Sequence, residues 1–242
     1  YLERGEPYPL INPRDGTVWR SIHPEKLLRL AAEMAWKTAD PGMLFQDNIN
    51  RYNPFREVFG DIVCVNPCGE QPLYPYESCN LGSINLYALV REDGGFDWGE
   101  LARVTKLATR FLDNIIEITK HPSEKIRDRT LRSRRIGLGI MGLADMLYAL
   151  MIPYNSEEGF RTMRRVMEHI MYYAVEASVE LAVERGPFPD FNKSSWARGI
   201  IPVEGFHRRE YWTLDWSRLA EKVVRHGIRT VSYTHLTLPN RE

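Results

Sequence analysis

Two short runs rich in β-branched and apolar residues, 61-DIVCVN-66 and 78-SCNLGSINLYALV-90, do most to constrain the fold of this chain. The first reads as a buried strand leading into Pro67, and the second as strand-like after the Pro-rich loop QPLYPYE. Long stretches of helical period surround them. From Pro24 to about Thr38, residues Leu27, Leu30, Ala31, Met34 and Ala35 share a face; Pro24 suits the first turn and Asp40-Pro41-Gly42 a stop. Asp97 and Glu100 make a capping-box pattern for a helix to about Thr119, with Trp98, Leu101, Val104, Ala108, Phe111 and Ile115 on one face. A third helix spans Ser156 to Arg185 and carries a methionine-rich core stripe, ending at Gly186-Pro187. A fourth runs from Trp216 to His226 and stops at Gly227. Residues 1–22 read as loop, with turns at Asn12-Pro13 and Asp15-Gly16. Helices punctuated by short buried strands predict an α/β chain.

The charge balance excludes some partners. Net charge is +0 over 242 residues with both signs interspersed, so no basic nucleic-acid face or acidic tail is expected. No signal segment or long apolar run points to a membrane, and the reading is a cytoplasmic protein. Neutrality does not exclude a phosphorylated substrate, because local positive charge or a helix N-terminus can hold an anion. The absence of a start methionine and the opening at Tyr1 make an internal fragment the expectation.

All three cysteines, Cys64, Cys68 and Cys79, fall within the two strand-like runs and the loop between them. A zinc site needs two closely spaced pairs, and Cys79 stands alone with no histidine between 24 and 120, so no metal site is expected. Cys64, flanked by valines, reads as a small buried hydrophobe. Cys68 lies between Pro67 and Gly69, with Asn66 and Glu70 two residues away on either side. In an extended or tightly looped segment these positions project the same way, so an amide, a thiol and a carboxylate would converge. That set suits sulfur chemistry on a polyhydroxyl substrate. Cys79 could approach the same volume if the loop doubles back and would then serve as a dithiol member.

The strings 66-NPCGE-70 and 77-ESCNLGSINL-86 resemble the active-site loop of ribonucleotide reductases, most closely the adenosylcobalamin-dependent class II form. LERGEPYPLINPRDG, KTADPGMLFQDNIN, RRIGLGIMGLADML and AVERGPFPDF are similar to the same family, so the likeness covers the chain to about Arg229. The resemblance implies a helix-rich fragment of a ten-stranded α/β barrel with Cys68 at the tip of a central finger loop. It implies that Cys68 becomes a thiyl radical that takes the ribose 3′-hydrogen. It assigns Glu70 as general base for the 3′-hydroxyl, Asn66 as the amide that orients the ribose hydroxyls, and Cys79 as one of the reducing pair. Its upstream partner cysteine is absent here, and Cys64 does not replace it. The implied substrate is a ribonucleoside di- or triphosphate, the cofactor adenosylcobalamin, the reductant a thioredoxin- or glutaredoxin-like dithiol, and the parent protein a homodimer. The fragment alone is expected to be inactive. Two alternatives stay open: a glycyl-radical diol dehydratase on the same barrel, against which Cys79 speaks, and a non-catalytic nucleotide-binding protein.

The last alternative would use 137-GLGIMG-142, which fits the dinucleotide fingerprint. That fingerprint needs a preceding strand, whereas TLRSRRI is mostly charged, and close packing of a helix in the barrel wall explains the glycines better. Asp47, Asn48 and Asn50 read as a polar loop, and the six histidines are scattered. After HGIR the family's phosphate-binding turn is replaced by 230-TVSYTHLTLPNRE-242, which looks like a translated sequencing adapter. Residues 230–242 are therefore expected to be a non-native tail, and His235 and Thr237 carry no functional reading.

Overall fold

Capping side chains fix where the longest helices begin. The structure is a computed structural model that describes residues 1–67 and 69–231. It divides into two compact units, Tyr1–Phe45 and Gln46–Glu242.

In the first unit, strands β1 (Tyr8–Ile11) and β2 (Val18–Ile22) form an antiparallel hairpin where a loop was expected. The expected turn residues close it. Asn12 N–H donates to Thr17 O at 2.8 Å, and Asp15 Oδ1 accepts from the Thr17 N–H and hydroxyl. Gly16 takes φ 73°, a conformation costly for a side chain. The strands are mostly exposed, so no apolar alternation marks them in the sequence. Helix α1 (Pro24–Thr38) follows with the expected bounds, and none of its residues is buried.

The second unit opens with α2 (Gln46–Arg51) and α3 (Arg56–Phe59), then a small hairpin of β3 (Cys64–Val65) and β4 (Pro72–Leu73). Strand β5 (Asn80–Asn85) and a 3-10 turn at Tyr87–Leu89 lead to α4 (Trp98–Ile118), α5 (Glu124–Ser133), β6 (Ile136–Met141) and α6 (Leu143–Ala149). Helices α7 (Glu157–Arg185), α8 (Glu204–His207) and α9 (Trp216–His226) complete it. The expected strand 61–66 shrinks to two residues, and the run 78–90 is strand only to Asn85. Asp47, Asn48 and Asn50 lie on α2 rather than in a loop.

Asp97 caps α4 by accepting from Glu100 N–H, and Ser156 caps α7 by accepting from Gly159 N–H. Each such cap satisfies a backbone donor that the first helical turn leaves open. The buried face of α4 is turned from the expected one: Leu101, Thr105, Thr109, Leu112, Asp113 and Ile116 are buried, while Phe111 is exposed. Buried polar residues account for the difference. Thr109 Oγ1 donates to Thr105 O, and Asp113 accepts from Arg134, so these positions pack inward despite their polarity. The methionine stripe of α7 is core as expected, with Met163 and Met171 buried beside Ile170.

Strands β5 and β6 are parallel, with Asn80 opposite Ile136 and Asn85 opposite Met141. Parallel neighbours require a crossover, and α4 and α5 supply it; α4 packs on both strands and α7 packs on α4. Arg135 also pairs with Val231 on the parallel side, through Ile136 N–H to Val231 O at 3.1 Å. Among the described residues the strands make three two-stranded sheets and no closed barrel. Nor is any helix among them long and apolar enough to cross a membrane.

The GLGIMG stretch corrects an expectation. It forms strand β6 and the turn into α6, not a helix in a wall. The charged residues before it are compatible with a buried strand because Arg134 and Arg135 are themselves buried and ion-paired, to Asp113 and Glu77. A Cβ at Gly139 would press on Ser83 Oγ of β5 at 3.4 Å, and one at Gly142 would stand 2.6 Å from Asn85 Oδ1. Strand-to-strand and turn packing thus accounts for these glycines.

Candidate active site

The β3–β4 hairpin positions the site. Cys64 is opposite Leu73 and Val65 opposite Pro72, so residues 66–71 form the connecting loop. Asn66 closes it twice: its N–H donates to Gln71 O at 3.2 Å, and its Oδ1 accepts from Gln71 N–H at 2.9 Å. The base of the hairpin is held by Asn50 of α2, whose Oδ1 accepts from Ile62 N–H (2.8 Å) while its Nδ2 donates to Ile62 O (3.0 Å).

Cys68 lies outside the described residues. Asn66 and Cys79 line one cavity of about 400 Å³, together with Gln71, Glu77 and Ser78. The loop does double back. Gln71 Nε2–H donates to Cys79 Sγ at 2.9 Å, which ties the hairpin to the start of β5. Glu70 is not on that wall, but its Oε2 is buried without a hydrogen-bond partner, a costly state for a carboxylate oxygen.

Cys64 departs from its reading as a buried hydrophobe. It is exposed, lines the same cavity, and donates its S–H to Leu73 O at 3.0 Å. A two-residue strand at the rim of a cavity leaves one flank of the chain uncovered, which flanking valines do not reveal.

The electrostatics favour a protonated Cys79. Burial pushes its thiol up to about 12, Arg135 pulls the other way, and Glu77 and Glu70 add to the rise. At neutral pH the sulfur therefore keeps its proton, as a proton-delivering thiol must. Asn66 has its side-chain oxygen engaged by Gln71, so its NH2 is the group with which it could meet a ligand hydroxyl.

Residues 6–240 match the family described as the ribonucleotide reductase barrel domain. The chain belongs to that family. It is 47% identical over 202 residues to the vitamin B12-dependent ribonucleoside-diphosphate reductase of Thermoplasma acidophilum, covering 84% of this chain and 26% of that protein. The enzyme of the same name from Mycobacterium tuberculosis is 46% identical over 197 residues, covering 81% and 28%. The ribonucleoside-diphosphate reductase large chain of Encephalitozoon cuniculi is 36% identical over 221 residues, covering 88% and 28%. The chain thus spans about a quarter of the length of these relatives.

Sequence reasoning did not single out three residues of this ribonucleotide reductase segment that build the cavity wall or its backing. These are Gln71, Glu77 and Arg135. Glu77 accepts from Tyr74 N–H (2.9 Å) and from Arg135 Nε (2.7 Å), with neither charged side chain open to solvent. Glu77 sits directly before 78-SCN-80, and that adjacency was its one available signal.

Proposed function

We propose that this chain is the thiol-bearing segment of a class II ribonucleotide reductase that converts ribonucleoside diphosphates to 2′-deoxyribonucleotides. The observation that carries the reading is the Gln71–Cys79 contact, which joins the hairpin bearing Asn66 and Glu70 to the second thiol at one cavity. Likeness to two B12-dependent diphosphate reductases supports both the class and the substrate. In this reading the hairpin is the finger loop of a ten-stranded barrel to which the rest of a longer protein contributes.

A thiyl radical on Cys68 takes the 3′-hydrogen of the ribose. Glu70 accepts the 3′-hydroxyl proton while the 2′-hydroxyl leaves as water, protonated by a thiol. Cys79 and a partner thiol from elsewhere in the protein together give two electrons and two protons and end joined by an S–S bond. Cys68 then returns the hydrogen to C3′. Asn66 donates to a ribose hydroxyl and fixes its orientation. An external dithiol of the thioredoxin or glutaredoxin type restores the pair. The cavity wall offers no imidazole to ligate cobalt, so the roles assigned here are those of the chain's own residues.

The test is turnover and hydrogen exchange in the intact protein with adenosylcobalamin and a dithiol. Cys68→Ser abolishes both, whereas Cys79→Ser loses dithiol-supported turnover and keeps exchange. Undiminished turnover in Cys68→Ser would end the reading.

A further inference from the structure

Gln71 is 3% exposed, and its backbone is held at both polar atoms by Asn66. Its side-chain Nε2–H ends on Cys79 Sγ at 2.9 Å, and that sulfur faces the Asn80 carbonyl oxygen at 3.5 Å. One residue therefore receives the closing bonds of the hairpin and passes them to the second thiol. We propose that Gln71 is a positioning residue for Cys79: it holds the sulfur on the cavity wall and supports the negative charge that develops there as the thiol gives up its proton. The proposal rests on the reading of Cys79 as a reducing thiol.

The chemistry of the amide fits this task. An N–H donor to sulfur favours the thiolate over the thiol. A neutral amide does so mildly, so Cys79 keeps its proton at rest and still finds a donor when it ionises. A lysine in its place would hold a thiolate permanently, as cations beside reactive cysteines do. A methyl-terminated side chain would leave the developing charge against apolar atoms, with burial and Glu77 both opposing it.

The experiment uses the intact protein and two variants, Gln71→Met, which keeps length and volume without the donor, and Gln71→Lys. The readout is the rate of iodoacetamide alkylation of Cys79 at one mildly alkaline pH, followed by peptide mass spectrometry and normalised to Cys64. The hydrogen bond predicts Cys79 alkylation roughly five- to tenfold slower in Gln71→Met and faster by at least as much in Gln71→Lys. Equal rates in all three proteins, or faster alkylation in both variants as simple loosening would give, would overturn the proposal. If lysine prevents folding, Gln71→Met alone decides, by slower or not slower. Failure of the functional reading looks different: Cys79→Ser would retain dithiol-supported turnover while the Gln71 effect on alkylation persisted.

Discussion

Glu77 and Arg135 form an ion pair closed off from solvent, Nε to Oε2 at 2.7 Å with side chains 0% and 3% exposed. The same carboxylate oxygen accepts from Tyr74 N–H, so one atom fastens the segment after the hairpin to the residue before β6. Removing one member leaves a buried charge without its partner. Glu77→Ala is expected to cost about 3–5 kcal/mol. The pair Glu77→Gln with Arg135→Met is expected to cost less than the sum of the single changes. Urea unfolding of the four proteins measures both. A cost for Glu77→Ala no larger than that of an average surface substitution would remove the pair from its structural role.

The hairpin depends on Asn50 in a second way. This side chain, 2% exposed, acts as a backbone surrogate and satisfies both the N–H and C=O of Ile62. Asn50→Ala leaves two buried backbone groups unpaired, at a cost of about 1–3 kcal/mol each before water relieves them. The loss should appear locally. Hydrogen exchange at Ile62 and through the hairpin is expected to accelerate by more than that of α7. Uniform acceleration across the chain would show that Asn50 has no local hold on the hairpin.

What the sequence reveals here follows from how each element is held. Asp97, Ser156, Gly186 and Gly227 mark helix ends because the chemistry that stops a helix lies within a few residues. The bounds of α1, α4, α7 and α9 accordingly agree with expectation to within a residue or so. Strand β6 was hidden because its flanking charges find partners far along the chain. Arg134 meets Asp113 and Arg135 meets Glu77, pairings of long sequence separation that no local pattern encodes. Hairpin β1–β2 was hidden for the opposite reason, since its strands bury too little to show a period. At the site, Asn66 and Cys79 were legible as residue types in a motif. Gln71 was not, because its role is a contact made only once the loop doubles back.

Asp113 gathers the longest-range charges of the second unit. Its carboxylate accepts from Arg134 (2.6 Å) and Arg185 (3.2 Å), and Arg229 lies 3.7 Å away, so it joins α4 to the ends of α5 and α7. Burial and the neighbouring Arg134 hold the Arg229 guanidinium below its usual range, with Asp113 and Glu117 opposing that shift. Asp113→Ala leaves these cations facing one another, and a loss of about 3–5 kcal/mol is expected in chemical unfolding. Arg103→Ala serves as the contrast, because its partner Glu100 is in solvent and the unfolding midpoint should not move. Similar shifts for the two variants would refute the buried-network account.

The raised Cys79 thiol gives the protein a pH signature. In the unfolded chain this group releases its proton near its ordinary value of 9.0, while burial in the fold delays release to about 12. Between those values the unfolded state binds fewer protons than the native state, so stability falls as pH rises. Below 9 both states hold the proton, and the contribution is fully present. Other groups titrate in the same window, so the informative quantity is the difference between the parent protein and Cys79→Ala. That difference is expected to shift in favour of the variant as pH climbs from about 9 toward 12, measured by urea midpoints at each pH. Alkylation supplies an independent check. Cys64, exposed at the rim, should react with iodoacetamide well before Cys79 at pH values below the Cys79 titration. A Cys79 that reacts as fast as Cys64 would mean that its sulfur is neither desolvated nor held as the Gln71 contact describes.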